Sequence, residues 1–211
     1  MSPIDLPSLA LILAAAARGA THVAGTGLPD RAQLAVVLAA LGARLDADGQ
    51  GGWNVRGTGT GGWREPGRVL ELGRAPGAVP LLAGMLAVQP FTSVLATDSG
   101  NASLSLAALR GPLERVGARL VLGRLDRLPG TVTGTVCPLP ARHDGLGPVE
   151  GLSVLLAGLN SPGRTGVDDV PGLAPGLDML RRFGVQVQVV DGTAWVTGYP
   201  DLAGADVTPG A

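Results

Sequence analysis

Apolar residues recur along the chain in two alternating helical patterns. One is apolar all round: Leu6 to Ala17 reads LPSLALILAAAA, and similar runs extend from Ala78 to Val88 and from Glu150 to Leu159. A helix without a polar stripe must be covered on every side. The other pattern is amphipathic. Leu34, Val37, Leu38 and Leu41 share one face, as do Leu106, Leu109, Leu113 and Val116, and again Leu177, Leu180 and Phe183. Asp30 and Pro175 are placed to start the first and third of these helices. After each all-apolar helix a Gly or Pro breaker leads into a short strand: Thr21 to Ala24, Thr92 to Ala96 and Thr165 to Val170.

The amphipathic helices open three similar segments. These are LAALGARLDADGQGGWNVRG from Leu38, LERVGARLVLGRLDRLPGTVTG from Leu113 and LRRFGVQVQVVDGTAWVTG from Leu180. Gly42, Gly117 and Gly184 suit the left-handed position just past a helix C-terminus. Each segment then reads strand, turn, strand. In the third, Val185, Val187 and Val189 alternate with Gln186 and Gln188, and Asp191-Gly192 makes a tight hairpin turn. The predicted unit is helix, strand, helix, strand, hairpin strand, present three times. Three such units packed around a common axis place the apolar helices inside and the sheets outside, in one α/β (α+β) domain over 1–211. The repeats fall at about 1–66, 67–140 and 141–205.

Composition sharpens this picture. Hydrophobic residues make up 45% of the 211 and aromatic residues only 3%, so the core is aliphatic. The 34 glycines and 17 prolines punctuate short elements. All 16 basic residues are arginine, which excludes a Schiff-base or P-loop lysine. A net charge of −1 provides no long-range attraction for nucleic acid or an anionic membrane. The single cysteine, Cys137, cannot build a disulfide framework or a cysteine metal cage within one chain. Leu6 to Ala17 is too short to span a bilayer, and Asp5 stands where a secretory leader carries positive charge, so a cytoplasmic location is expected.

Several strings carry a resemblance beyond pattern: ALILAAAARGATHVAG from Ala10, LLAGMLAVQPFTSVLATD from Leu81, PLERVGARL from Pro112, LLAGLNSPGRTGV from Leu155 and MLRRFGVQV from Met179. In this order they resemble the EPSP synthase family of enolpyruvyl transferases. The resemblance implies a domain of three βαβαββ units, and an active site in the cleft between two such domains. One chain of this length then supplies at most half a site. The resemblance also locates what is missing. The family's lysine for phosphoenolpyruvate corresponds to Ile4, and its arginine for shikimate phosphate to Leu9. In its glycine-rich turn, Arg74 stands for the asparagine and Pro80 for the arginine. The arginine-rich run corresponds to Gly100 to Leu106, without an arginine. In the motif that grips the phosphate, Val149 stands for the glutamine, and the family's SRDHTERML turn corresponds to Gly172 to Leu180. Asp98 alone survives at a motif edge. Both family substrates are multiply anionic and need convergent cationic donors, each worth about 1.5–3 kcal/mol. Binding of a small anionic substrate is therefore not expected, and Ile4, Leu9, Arg74, Pro80 and Val149 mark a degenerate site.

Other candidates read as structure. Gly57 to Gly62 (GTGTGG) follows a strand but precedes no helix, so it reads as a surface loop and not a dinucleotide turn. Arg142-His143-Asp144 reads as a solvated loop. Asp168-Asp169 is too few ligands for a cation. His22 has no visible partner. Trp53, Trp63, Trp195 and Tyr199 lie on or near hairpin strands as core edges. The expected function is a non-catalytic protein-interaction, scaffold or regulatory module, with a protein partner or self-association and no cofactor or metal. The alternative is half of a split enolpyruvyl transferase completed by a second chain.

Overall fold

The computed structural model describes residues 3–25, 31–98 and 104–209. Asp30 and most of the Gly100 to Leu106 run lie outside these. Three helices are buried on all sides: α1 (Leu6–Ala16), α3 (Ala78–Leu86) and α5 (Pro148–Gly158). They pack against one another, α1 on α3 and α3 on α5. The contact of α3 with α5 is backbone-close, since a Cβ on Gly84 would lie 2.0 Å from the Ser153 carbonyl oxygen. Their Leu, Ile and Val side chains form the centre of the core, each contributing about 1.5–3 kcal/mol when fully buried. The amphipathic helices α2 (Ala32–Ala40), α4 (Ala107–Val116) and α6 (Ala174–Arg182) bury the faces predicted, and Pro175 occupies the first turn of α6.

Among the described residues the strands form three four-stranded sheets of one design. The order is β12 (Asp206–Val207), β1 (Arg18–Val23), β3 (Trp53–Thr58), β2 (Arg44–Ala47) in the first. In the second it is β4 (Leu70–Glu71), β5 (Thr92–Ala96), β7 (Gly130–Thr133), β6 (Arg119–Leu122). In the third it is β8 (Arg142–His143), β9 (Arg164–Asp168), β11 (Thr193–Thr197), β10 (Val187–Val190). In each, a two-residue edge strand runs parallel to its neighbour and the other pairings are antiparallel. These three short parallel strands carry too few residues for any periodic signal. The edge strand of the first sheet comes from beyond residue 205, with Val23 opposite Val207.

Helix ends follow the glycine pattern. Gly42, Gly117 and Gly184 have φ of 114°, 107° and 86°, a conformation that costs other residues about 1–2 kcal/mol. A second glycine set closes each hairpin onto a buried helix. A Cβ on Gly57 would lie 2.3 Å from the Ala14 and Ala17 carbonyl oxygens, on Gly134 2.1 Å from that of Gln89, and on Gly198 1.8 Å from that of Ser161. The outer strands can cover the C-terminal ends of α1, α3 and α5 only because no side chain intervenes.

Candidate functional site

The N-terminal ends of the buried helices converge on a concavity of about 450 Å³, walled by Pro3, Pro76, Pro80, Leu106, Pro148 and Val149 together with Glu150 and residues of α4. A helix N-terminus normally offers free N–H groups and a positive dipole end to an anion. Here each helix withdraws part of that offer. Pro7, Pro80 and Pro148 stand in the first turns of α1, α3 and α5, and a proline has no N–H.

At α1 the place of an anion is taken by the chain itself. Asp5 caps the helix: its Oδ1 accepts the Ser8 N–H at 3.2 Å and its Oδ2 accepts the Ser8 hydroxyl at 2.8 Å. Arg31 Nη2 donates to Asp5 Oδ1 at 2.8 Å. Asp5 also presses on the start of α3, where a Cβ on Gly77 would meet the Asp5 Cβ at 2.8 Å. At α5 the second carboxylate, Glu150, lies back over the helix start, its Oε2 2.6 Å from where a Gly147 Cβ would be. The concavity therefore holds Glu150, adjoins Asp5, and has no arginine among its described lining residues.

The structure brings Pro80 and Val149 together in this wall. Ile4 lies beside it, partly buried and reaching toward Gly176 at the start of α6. Leu9 is fully buried in the core. Arg74 is exposed and is not among the lining residues. Pro7, Pro148 and the Asp5 cap were missed from sequence, although a proline at the head of each all-apolar run was visible there.

Elsewhere the structure corrects several expectations. His22 has a partner: its Nε2 is 2.9 Å from Asp48 Oδ2. Asp48 also accepts the N–H groups of Gln50 and Gly52 at 2.7 Å each. The His22 hydrogen bond, followed by these two, holds the Asp48 carboxyl below the usual carboxylate range. The β2–β3 turn brings the two residues together, and its geometry was not legible from the sequence. Arg142-His143 is no solvated loop but the strand β8. His143 is fully buried, and neither ring nitrogen has a hydrogen-bond partner among the described residues. Burial, reinforced by the Arg115 charge and opposed by Asp144, pushes its pKa below that of a free imidazole.

Asp168 is held by Arg142 Nη2 at 2.9 Å and the Gly145 N–H at 3.1 Å, and among the described residues no three His, Cys, Asp or Glu side chains group as metal ligands. The GTGTGG run is no free loop. It begins inside β3, and the Thr60 carbonyl accepts the side-chain amides of both Gln89 and Asn160. Trp63 is a core residue past the strand, its indole N–H donating to the Ala15 carbonyl at 3.3 Å. Trp53 is partly buried against the core, Trp195 is partly buried with the Arg164 guanidinium 5.0 Å from its ring, and Tyr199 is exposed. No helix among the described residues is long and apolar enough to cross a membrane.

No family model matches the chain. Among curated proteins it is 36% identical over 211 residues to a 3-phosphoshikimate 1-carboxyvinyltransferase of Paramagnetospirillum magneticum, covering 94% of this chain and 46% of that protein. To the enzyme of the same name from Afipia carboxidovorans it is 37% identical, covering 94% of the chain and 47% of the relative. Among solved structures, EPSP synthase from Acinetobacter baumannii superimposes with a TM-score of 0.86 at 25% identity, over 98% of this chain and 48% of that one. The enolpyruvyl transferase NikO from Streptomyces tendae shares the fold, with a TM-score of 0.64 at 18% identity over 99% and 50% of the two chains. The chain spans about half the length of the curated relatives it matches. In sequence and fold it is a homologue of EPSP synthase, the 3-phosphoshikimate 1-carboxyvinyltransferase, over one half of that enzyme.

Proposed function

We propose that this chain serves as a half of the enolpyruvyl-transferase architecture that does not bind phosphate. Its helix-N-terminal face docks onto a protein partner, and it performs no transfer chemistry. One observation carries this reading: the converging helix ends hold prolines and carboxylates where a phosphorylated acid needs N–H donors and arginines. Losing several charge-assisted contacts of about 1.5–3 kcal/mol each leaves no useful affinity. Placing a phosphate beside Glu150 adds repulsion, and Asp5 already occupies the start of α1 together with Arg31. The apolar wall built by Pro76, Pro80, Leu106 and Val149 suits a protein surface better than an anion.

A second reading is favoured by the match to half of each enzyme relative. Here a second polypeptide contributes the remaining half and every cationic group. Enolpyruvyl transfer from phosphoenolpyruvate to shikimate 3-phosphate then occurs in the joint cleft. One experiment separates the two. The chain is mixed with the portion of an EPSP synthase that it does not match, association is followed by sedimentation, and phosphate release is assayed with both substrates. Association without phosphate release is expected. Phosphate release establishes the second reading, and absence of association removes the second reading and, for the first, docking onto that partner.

A further inference from the structure

Among the described residues six strands end the three sheets, and five of them carry a charge: Asp206 in β12, Arg44 and Asp46 in β2, Glu71 in β4, Arg119 in β6 and Arg142 in β8. Charged residues on an edge strand discourage pairing with another chain, and they are a common protection of exposed edges. The sixth edge, β10, has none. From Gly184 to Val190 the chain reads GVQVQVV, without charge or proline, and Val189 and Val190 are 44% and 50% exposed.

The backbone groups open on this edge follow from its register. Val190 lies opposite Thr193 across the Asp191-Gly192 turn, and Gln188 lies opposite Trp195. A two-residue hairpin closes on a hydrogen-bonded pair, and such pairs alternate along the ladder. Val190 and Gln188 thus bond inward to β11, and Gln186 continues the series by accepting the Thr197 N–H at 3.3 Å. The N–H and C=O groups of Val187 and Val189 point to the open side. The Val185 carbonyl does too, while its N–H is taken by the Leu180 carbonyl at 3.1 Å.

The sequence on this edge is its own mirror. Val185-Gln186-Val187-Gln188-Val189 reads the same in both directions. An antiparallel pairing with a second copy, centred on Val187, sets Val187 against Val187, Val185 against Val189 and Gln186 against Gln188. The open groups then match, except the Val189 carbonyl, whose counterpart, the Val185 N–H, is taken. The two Val187 residues exchange N–H to carbonyl bonds, and each Val189 N–H meets the Val185 carbonyl of the second copy. Inward-facing valines extend one apolar row, and outward-facing glutamines extend one polar row. A two-fold axis brings like residues together, so a charged edge repels itself and an uncharged one does not.

We infer that β10 is a self-association edge, through which two copies join their third sheets into one continuous antiparallel sheet. None of the residues lining the concavity takes part, so this inference stands apart from the function proposed above. The test is sedimentation velocity on three forms of the chain. The wild type should populate a dimer whose fraction grows with concentration. Gln186→Lys with Gln188→Lys places lysine opposite lysine twice across the axis and should weaken dimerisation about tenfold or more. Gln186→Lys with Gln188→Glu places lysine opposite glutamate twice and should restore the dimer, now sensitive to salt. Both glutamines are exposed and the only hydrogen bond lost among the described residues is that of Gln188 Oε1, which accepts from Arg164 Nη2 at 3.1 Å, so the far-ultraviolet spectrum should be the same in all three. A wild type monomeric at every accessible concentration overturns the inference, and so does a dimer indifferent to the paired lysines. Failure of the lysine–glutamate form to restore association overturns the register.

Discussion

Gln89 and Asn160 donate their side-chain amides to one acceptor, the carbonyl oxygen of Thr60, each at 2.9 Å. Gln89 follows α3, Asn160 follows α5, and Thr60 lies in the turn beyond β3, whose Gly57 covers the end of α1. A single carbonyl with two lone pairs thus ties together segments from all three parts of the chain, at the end of the helix cluster opposite the concavity.

This junction should show coupling. Gln89→Ala and Asn160→Ala should each cost about 1 kcal/mol or somewhat more, because each removes a buried or part-buried hydrogen bond and Gln89 is wholly enclosed. Chemical denaturation of both single variants and the double variant gives the cycle. The double variant should differ from the sum of the singles by about 0.5 kcal/mol or more, as groups sharing an acceptor do. Strict additivity would mean that the two amides act independently.

The hairpin glycines should tolerate nothing larger. Gly198→Ala directs a methyl to within 1.8 Å of the Ser161 carbonyl oxygen, and backbone on both sides limits relaxation. A loss of about 3 kcal/mol or more is expected, at the upper end of overpacking costs. Gly192→Ala in the β10–β11 turn, where nothing lies within 4 Å, meets only the strain of its φ of 69°. It should cost about 1–2 kcal/mol. Thermal melts of the pair separate collision from backbone strain, and equal losses would contradict the close-approach account.

His143 should make the fold acid-sensitive. Its pKa lies below that of a free imidazole in the folded chain, chiefly because burial disfavours the imidazolium. The unfolded chain therefore takes up the proton first. The stability tied to neutral His143 is complete above pH of about 6.5 and is lost as pH falls through that value toward the folded pKa. Replacing His143 by Leu also removes two ring nitrogens that have no partner among the described residues, so the variant should be more stable than the wild type at pH 5 by about 1 kcal/mol or more. The advantage should shrink above neutrality. Urea denaturation across this range checks it, and an advantage independent of pH would place the sensitivity elsewhere.

Much of the architecture was legible because it rests on apolar periodicity and glycine. Helices covered on every side announce themselves by the lack of a polar face, and Gly57, Gly134 and Gly198 end the three repeated strings where backbone meets backbone. The edge strands β4, β8 and β12 were not legible, since two residues carry no period and their pairing is fixed by tertiary position. His143 was misread for the same reason: beside Arg142 and Asp144 it looks solvated, yet one strand face turns inward. Of the positions singled out by the resemblance, Pro80 and Val149 share one wall of the concavity and Ile4 lies beside it. The Asp5 cap was not legible, because its ion pair with Arg31 depends on how α2 is delivered to the head of α1.

The account depends most on the claim that this half holds no anion site. Calorimetric titration of the chain with shikimate 3-phosphate, in low salt at neutral pH, tests it directly. The arrangement of Asp5, Glu150 and the three first-turn prolines predicts no saturable heat up to concentrations of about a millimolar, equivalent to less than about 4 kcal/mol of binding. A saturable isotherm with a dissociation constant well below that value would contradict it.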